Sequence, residues 1–155
     1  MAKLDIVYLA DRLNAAPLLA AWLAAEWGDG TPRMEPAAVT DRLLAQASRE
    51  TPPVCLLGFA DDRLIATATL KYRELEFALQ ADYWLGSVYV REDMRGHGHG
   101  RAIIEAARQV AIDLSLLPLY LYTPHKESLY RHLGWETVGH TRTGAKQATV
   151  MVWHA

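Results

Sequence analysis

The chain has 155 residues, 51% of them hydrophobic and 22% charged, with a formal net charge of −2. That length supports a core large enough to fold alone, and the composition excludes a disordered chain, so residues 1–155 read as a single domain. Scattered Lys and Arg exclude a basic footprint for nucleic acid or a membrane surface, and the lone Cys55 excludes an internal disulfide framework and fits a reducing cytosol.

The opening "MAKLDIVYLADRLN" carries an aspartate inside its apolar run, which makes a poor secretory signal. Charges or prolines interrupt every apolar segment before it reaches the length of a membrane span. These features predict a cytoplasmic protein. "LDIVYLA" reads as a first strand. From Leu13 to Trp27, Ala16, Ala20, Leu23 and Trp27 recur at helical spacing and predict one shared face. "GDGTPRMEP" breaks the chain, and "PAAVTDRLLAQAS" predicts a second helix with proline in its first turn. "TPPVCLLGFADDRLIATATLKY" predicts a hairpin turning at Asp61-Asp62, with Cys55 as a buried strand residue rather than a nucleophile.

After an irregular stretch from Arg73 to Asp82, "YWLGSVYV" is the next strand, rich in aromatic and β-branched residues. "REDMRGHGHG" leads into a helix with Ile103, Ala107, Val110 and Leu114 along one face. "PLYLYT" is a short strand, "KESLYRHLG" a short helix ending at Gly134, and "TVGHT" and "ATVMVWH" are closing strands. The predicted order is β-α-α-β-β-β-α-β-α-β-β. It describes an α+β (mixed α/β) fold, a mostly antiparallel central sheet flanked by helices. One parallel pair, joined by a right-handed crossover, is expected between Trp84 and Thr123.

The glycine loop allows three readings: a phosphate cradle, a His-rich metal site, or a flexible turn. A helix N-terminus presents unpaired N–H groups and partial positive charge to an anion. Gly96, Gly98 and Gly100 remove Cβ obstruction, and Arg95 and Arg101 flank the loop with guanidinium groups. The Gly-Lys-Ser/Thr end of a P-loop is missing. A dinucleotide fold fails twice, because Arg101 replaces the third glycine and "PLYLYT" lacks an acid for the ribose. His97 and His99 form an H-x-H pair, but no cysteine or carboxylate stands at a ligand spacing that would complete a metal site. No metal is expected.

Two motifs then carry a resemblance. "SVYVREDMRGHGHGRAII", with Val88 and Val90 on a strand before Arg95-x-x-Gly98-x-Gly100, resembles the acetyl-CoA-binding segment of the GCN5-related N-acetyltransferase (GNAT) superfamily. "LYTPHKESLYRHLGWE" resembles the later superfamily motif ending in Tyr-x-x-Leu-Gly-Phe/Trp. Together they span residues 84–136, and small bacterial members also share a "WLxxEWG" segment, here Trp22 to Gly28. The resemblance implies the GNAT-like acyl-CoA N-acyltransferase fold and transfer of an acetyl group from acetyl-CoA to a primary amine of a small molecule or peptide. It assigns coenzyme contacts to Val88, Tyr89, Val90, Arg95, Gly96, His97, Gly98, His99, Gly100, Arg101 and Thr123. The loop is valued for its main chain, with the side chains of His97 and His99 incidental.

The resemblance further implies that strand 84–90 diverges from strand 118–123 to admit the pantetheine arm. A backbone N–H near Val90 would meet the developing oxyanion, and Tyr130 would be the general acid for the departing thiolate. Read alone, Tyr130 could simply pack on the face it shares with Leu133. Thr123 departs from the asparagine of many relatives, which puts one coenzyme contact in question. The alternative is a non-catalytic acyl-CoA-binding sensor or docking module. Glu26, Glu74, Glu76, Asp82 and His125 are candidate bases without a motif behind them. Trp27 and Trp84 could wall an acceptor pocket or belong to the core. The acceptor amine is the expected partner, with no nucleic acid and no membrane. The resemblance allows a homodimer, for which the sequence holds no independent sign.

Overall fold

A computed structural model describes residues 3–155. The elements follow the predicted order: β1 (Asp5–Tyr8), α1 (Ala16–Trp27), α2 (Pro36–Gln46), β2 (Val54–Ala60), β3 (Arg63–Tyr72), β4 (Tyr83–Val90), α3 (His99–Asp113), β5 (Leu119–Thr123), α4 (Glu127–His132), β6 (Glu136–Thr143) and β7 (Lys146–Trp153). One sheet takes all seven strands in the order β1-β2-β3-β4-β5-β7-β6. Every pair is antiparallel except β4–β5, whose crossover through α3 forces the parallel sense.

Alternation along the strands divides the core between two faces. On one face, Ala66, Ala68, Leu70, Leu85, Leu119, Leu121 and Met151 pack with Ile103, Ile104, Ala107 and Ala111 of α3. On the other, Cys55, Leu57, Phe59 and Leu64 pack under Ala16 and Leu19 of α1. Further along that second face, Trp84, Tyr120, Val150 and Val152 pack beneath Leu75 and Phe77 of the β3–β4 connection. The stretch from Arg73 to Asp82 is therefore a cover over the sheet.

The hairpin turn forms at Asp61 and Asp62, both with positive φ (50° and 60°), the handedness that matches strand twist. The predicted face of the first helix needs correction. Ala16, Leu19 and Ala20 are fully buried, Leu23 is half-buried, and Trp27 is 45% exposed. The helix begins at Ala16 rather than Leu13, and the three preceding residues form a separate 3-10 turn.

Candidate active site

The glycine loop joins the end of β4 to the start of α3. Gly96 and Gly98 have φ of 81° and 84°, a region that costs any residue with a Cβ. Gly98 is the N-cap of α3 and no side chain caps that end. The helix opens with Ala102 N–H donating to Gly98 carbonyl at 3.1 Å, which leaves the amides of residues 99–101 without intrahelical acceptors. A Cβ on Gly96 or Gly98 would meet nothing within 4 Å, so these glycines are present for backbone conformation.

The flanking arginines are engaged with the protein. Arg95 Nε donates to the Val90 carbonyl at 2.9 Å, and its guanidinium lies 5.3 Å from the Tyr89 ring centroid. Arg101 pairs with Glu105 one turn along α3, an exposed contact with little hold on the side chain. His97 is exposed, whereas His99 is 5% exposed and its Nε2 has no hydrogen-bond partner. His99 is therefore an interior residue at the first turn of α3, a placement its polar character hid.

Beside the loop the sheet opens. β4 and β5 are in register only at Tyr83↔Leu119 and Trp84↔Tyr120, after which the strands separate. A bulge in β4 opposite Thr67 and Thr69 bends the strand there, and Ser87 within it has φ 51°. Arg91 N–H donates to the Ile65 carbonyl on β3 at 2.8 Å. Strand alternation consequently turns the Val90 N–H the other way, into the gap. Val88 and Val90 side chains join the α3-side core, while Tyr89 faces α1, with Trp22 at 5.3 Å and Trp27 at 6.3 Å between ring centroids.

Tyr130 belongs to the core on the α3 side of the sheet. It is 8% exposed, and burial pushes its phenol up to about 12 from 10. The motif "YRHLGW" explains its fixed position. Gly134 has φ 96°, Gly134 N–H donates to the Arg131 carbonyl at 3.1 Å, and Trp135 N–H donates to the Tyr130 carbonyl at 3.0 Å. These are the two bonds of a Schellman ending, and the accompanying apolar contact is Tyr130 against Trp135, 5.9 Å between centroids. Packing uses the ring of Tyr130 and leaves its oxygen: the ring packs on Trp135, and no protein group among the described residues bonds the hydroxyl. Thr123 is buried, and its Oγ1 accepts the Lys126 N–H at 2.9 Å, which anchors the start of α4.

Of the candidate bases, Glu26, Glu76 and His125 are exposed, and Asp82 is paired with Arg73 at 2.7 Å. Glu74 is half-buried and bonded to Lys71 Nζ at 3.1 Å. Lys71 Nζ also donates to Ser87 Oγ at 2.9 Å. Trp84 is fully buried core. Cys55 is buried too, and desolvation raises its thiol above the usual range, which suits a packing role. Among the described residues no group of three or more His, Cys, Asp or Glu could hold a metal, and no helix is long and apolar enough to cross a membrane.

A family-wide sequence profile described as "Acetyltransferase (GNAT) family" matches residues 17–135. The chain belongs to that family. A search of curated proteins finds no match. Among solved structures, the GNAT chain is similar to an acyl-CoA N-acyltransferase from Pseudomonas aeruginosa, with 21% identity, TM-score 0.66, and coverage of 98% of this chain and 99% of that one. It is similar to Escherichia coli ElaA at 17% identity and TM-score 0.66, covering 97% and 99%. A Bacillus anthracis protein, assigned by name to the streptothricin acetyltransferases and solved with acetyl coenzyme A, shares 17% identity at TM-score 0.54 over 66% of this chain and 63% of that one. These likenesses show the acyl-CoA N-acyltransferase fold.

Proposed function

We propose that residues 1–155 act as one acetyl-CoA-dependent N-acetyltransferase domain, working in the cytoplasm on a primary amine of a small molecule or peptide. The observation that carries this reading is the gap between β4 and β5. A main-chain donor, Val90 N–H, turns into it, an uncapped helix N-terminus follows the strand, and the Tyr130 phenol, which bonds no protein group among the described residues, sits in the core on the α3 side. Acetyl-CoA supplies an activated acetyl thioester and a pyrophosphate. The residues fit such a group: the left-handed Gly96 and Gly98 shape a cradle with no Cβ in it, and the free amides of residues 99–101 suit an anion.

Within that reading, the edges of Val88 and Val90 hold the coenzyme arm as an added strand would be held. Val90 N–H faces the carbonyl oxygen as negative charge develops there. Tyr130 keeps its proton at every physiological pH, because burial holds the phenol at about 12, and gives it to the departing sulfur. Trp22, Trp27 and Tyr89 line the acceptor approach on the face opposite α3.

Calorimetry with acetyl-CoA, followed by thiol release across a panel of amines, tests the proposal. Binding and turnover are expected. Binding with no turnover for any amine would leave a coenzyme-binding module, and absence of binding at millimolar coenzyme would remove both readings.

A further inference from the structure

One polar network lies beside the β4 bulge on the face away from α3. It runs from Glu74 in the β3–β4 connection to Lys71 on β3 and ends at Ser87 in the β4 bulge, with Tyr122 of β5 packed in the same cluster as the residues that follow Glu74. Lys71 Nζ bonds both Glu74 Oε1 and Ser87 Oγ. Its stem lies across Gly86, where a Cβ would come within 3.1 Å of Lys71 Cε. The glycine therefore admits the lysine, and the lysine places the carboxylate beside the bulge. Burial first, then the negative charge of Glu74, raises the Tyr122 phenol above its usual range. Tyr130 belongs to the core on the α3 side, whereas Tyr122 and the Glu74 segment pack with Trp84 on the other. The phenol and the carboxylate thus lie on opposite faces of the parted sheet.

We infer that Glu74 is the catalytic base of the acceptor side, meeting the primary amine as its ammonium ion and taking its proton, with Lys71 as a positioning residue. The inference rests on the acetyltransferase reading. One N–H proton passes to the Glu74 carboxylate and leaves the lone pair on nitrogen. That pair forms the C–N bond at the thioester carbonyl carbon. The C–S bond breaks, its electrons stay on sulfur, and sulfur takes the Tyr130 proton. The second N–H proton replaces the one Tyr130 gave, and Glu74 releases its own to solvent, so one proton is freed per transfer. The charged and titratable groups facing Glu74 are Lys71 from β3 and Tyr122 from β5, while Arg73 of its own segment is turned to Asp82 and Tyr72.

The test compares Glu74→Gln and Lys71→Met with the wild type, using phenethylamine, cadaverine and glycinamide as acceptors. For Glu74→Gln, kcat/KM is expected to fall about 100-fold or more, the acidic limb of its pH profile to flatten, and coenzyme affinity by calorimetry to stay unchanged. For Lys71→Met, KM for the amine should change more than kcat. Spectra of 13C-labelled tyrosine supply a readout without turnover: one phenol, that of Tyr122, should titrate at lower pH in Glu74→Gln. An unchanged tyrosine titration, or Glu74→Gln activity within threefold of wild type with the same acidic limb, overturns the inference while leaving the acetyltransferase reading intact. If the wild type binds coenzyme but uses none of the three amines, the comparison moves to slow thiol release with water as acceptor, where equal rates also overturn it. Failure of the wild type to bind acetyl-CoA removes the acetyltransferase reading first, and this inference with it.

Discussion

In the proposed reading Tyr130 joins stability to chemistry through one atom. Its hydroxyl has no protein partner among the described residues, so Tyr130→Phe orphans no group there, and denaturant unfolding at pH 7 should change by less than about 1 kcal/mol. Acetyl transfer should fall by roughly 10²- to 10⁴-fold, the usual contribution of a positioned acid. The pH dependence has a definite sign. Below pH 10 the phenol is protonated whether folded or unfolded; between 10 and about 12 the unfolded phenol ionises first, so stability falls as pH rises. At about 1.4 kcal/mol per unit, roughly 2–3 kcal/mol is lost across that window, and the Phe variant should lack this part of the alkaline decline. The loop glycines separate just as cleanly. Gly98→Ala forces a Cβ into a left-handed backbone and should cost about 1–2 kcal/mol with weakened coenzyme binding by calorimetry. Gly100 has helical backbone, and a Cβ there would sit 3.7 Å from Val90 Cγ2, an ordinary contact. Gly100→Ala should therefore stabilise by about 0.5–1 kcal/mol in the same assay.

At the scale of elements, the short helix α4 exists through its ending more than its length. Six residues give few internal bonds, so the reciprocal bonds at Gly134 and Trp135 fix the turn that presents Tyr130. Gly134→Ala, at φ 96°, should lower kcat while leaving coenzyme affinity nearly unchanged, a split that steady-state kinetics with calorimetry would detect. This ending was legible as "YRHLGW", because its chemistry is local. The first helix was less so. Ala16, Leu19 and Ala20 face the sheet, and a chain this rich in apolar residues from Ala15 to Trp27 offers several equally good stripes. The burial of His99 was hidden for a related reason: pattern marks polar residues as outward, whereas this one, in the first turn of α3, lies inside. Glu74 stood among the candidate bases, but its network could not be read, since Lys71 and Ser87 meet only after the strands align.

Across the whole molecule, the order of elements along the chain and the single parallel pair followed from turn signals and the length of one crossover, whereas the order of strands across the sheet was not read. Which cavity matters did not. Two surface hollows, one of ≈ 390 Å³ between Arg12, Phe59 and Arg63 and one of ≈ 590 Å³ between Ala24, Gly28 and Met34, lie away from the gap. Acetyl-CoA at 100 times its Kd should stabilise the fold by about 2.7 kcal/mol, read as a rise in Tm that grows with coenzyme concentration. The parting of β4 from β5 adds a mechanical consequence. Backbone bonding ties β1–β4 to β5–β7 at two registered positions, while α3 and its core run beneath both. The sheet is thus two plates on a short hinge, and whatever fills the parting acts as a splice. Amides of β6 and β7 should exchange with solvent through openings that leave β2 and β3 protected, and a bound coenzyme should merge the plates into one cooperative body.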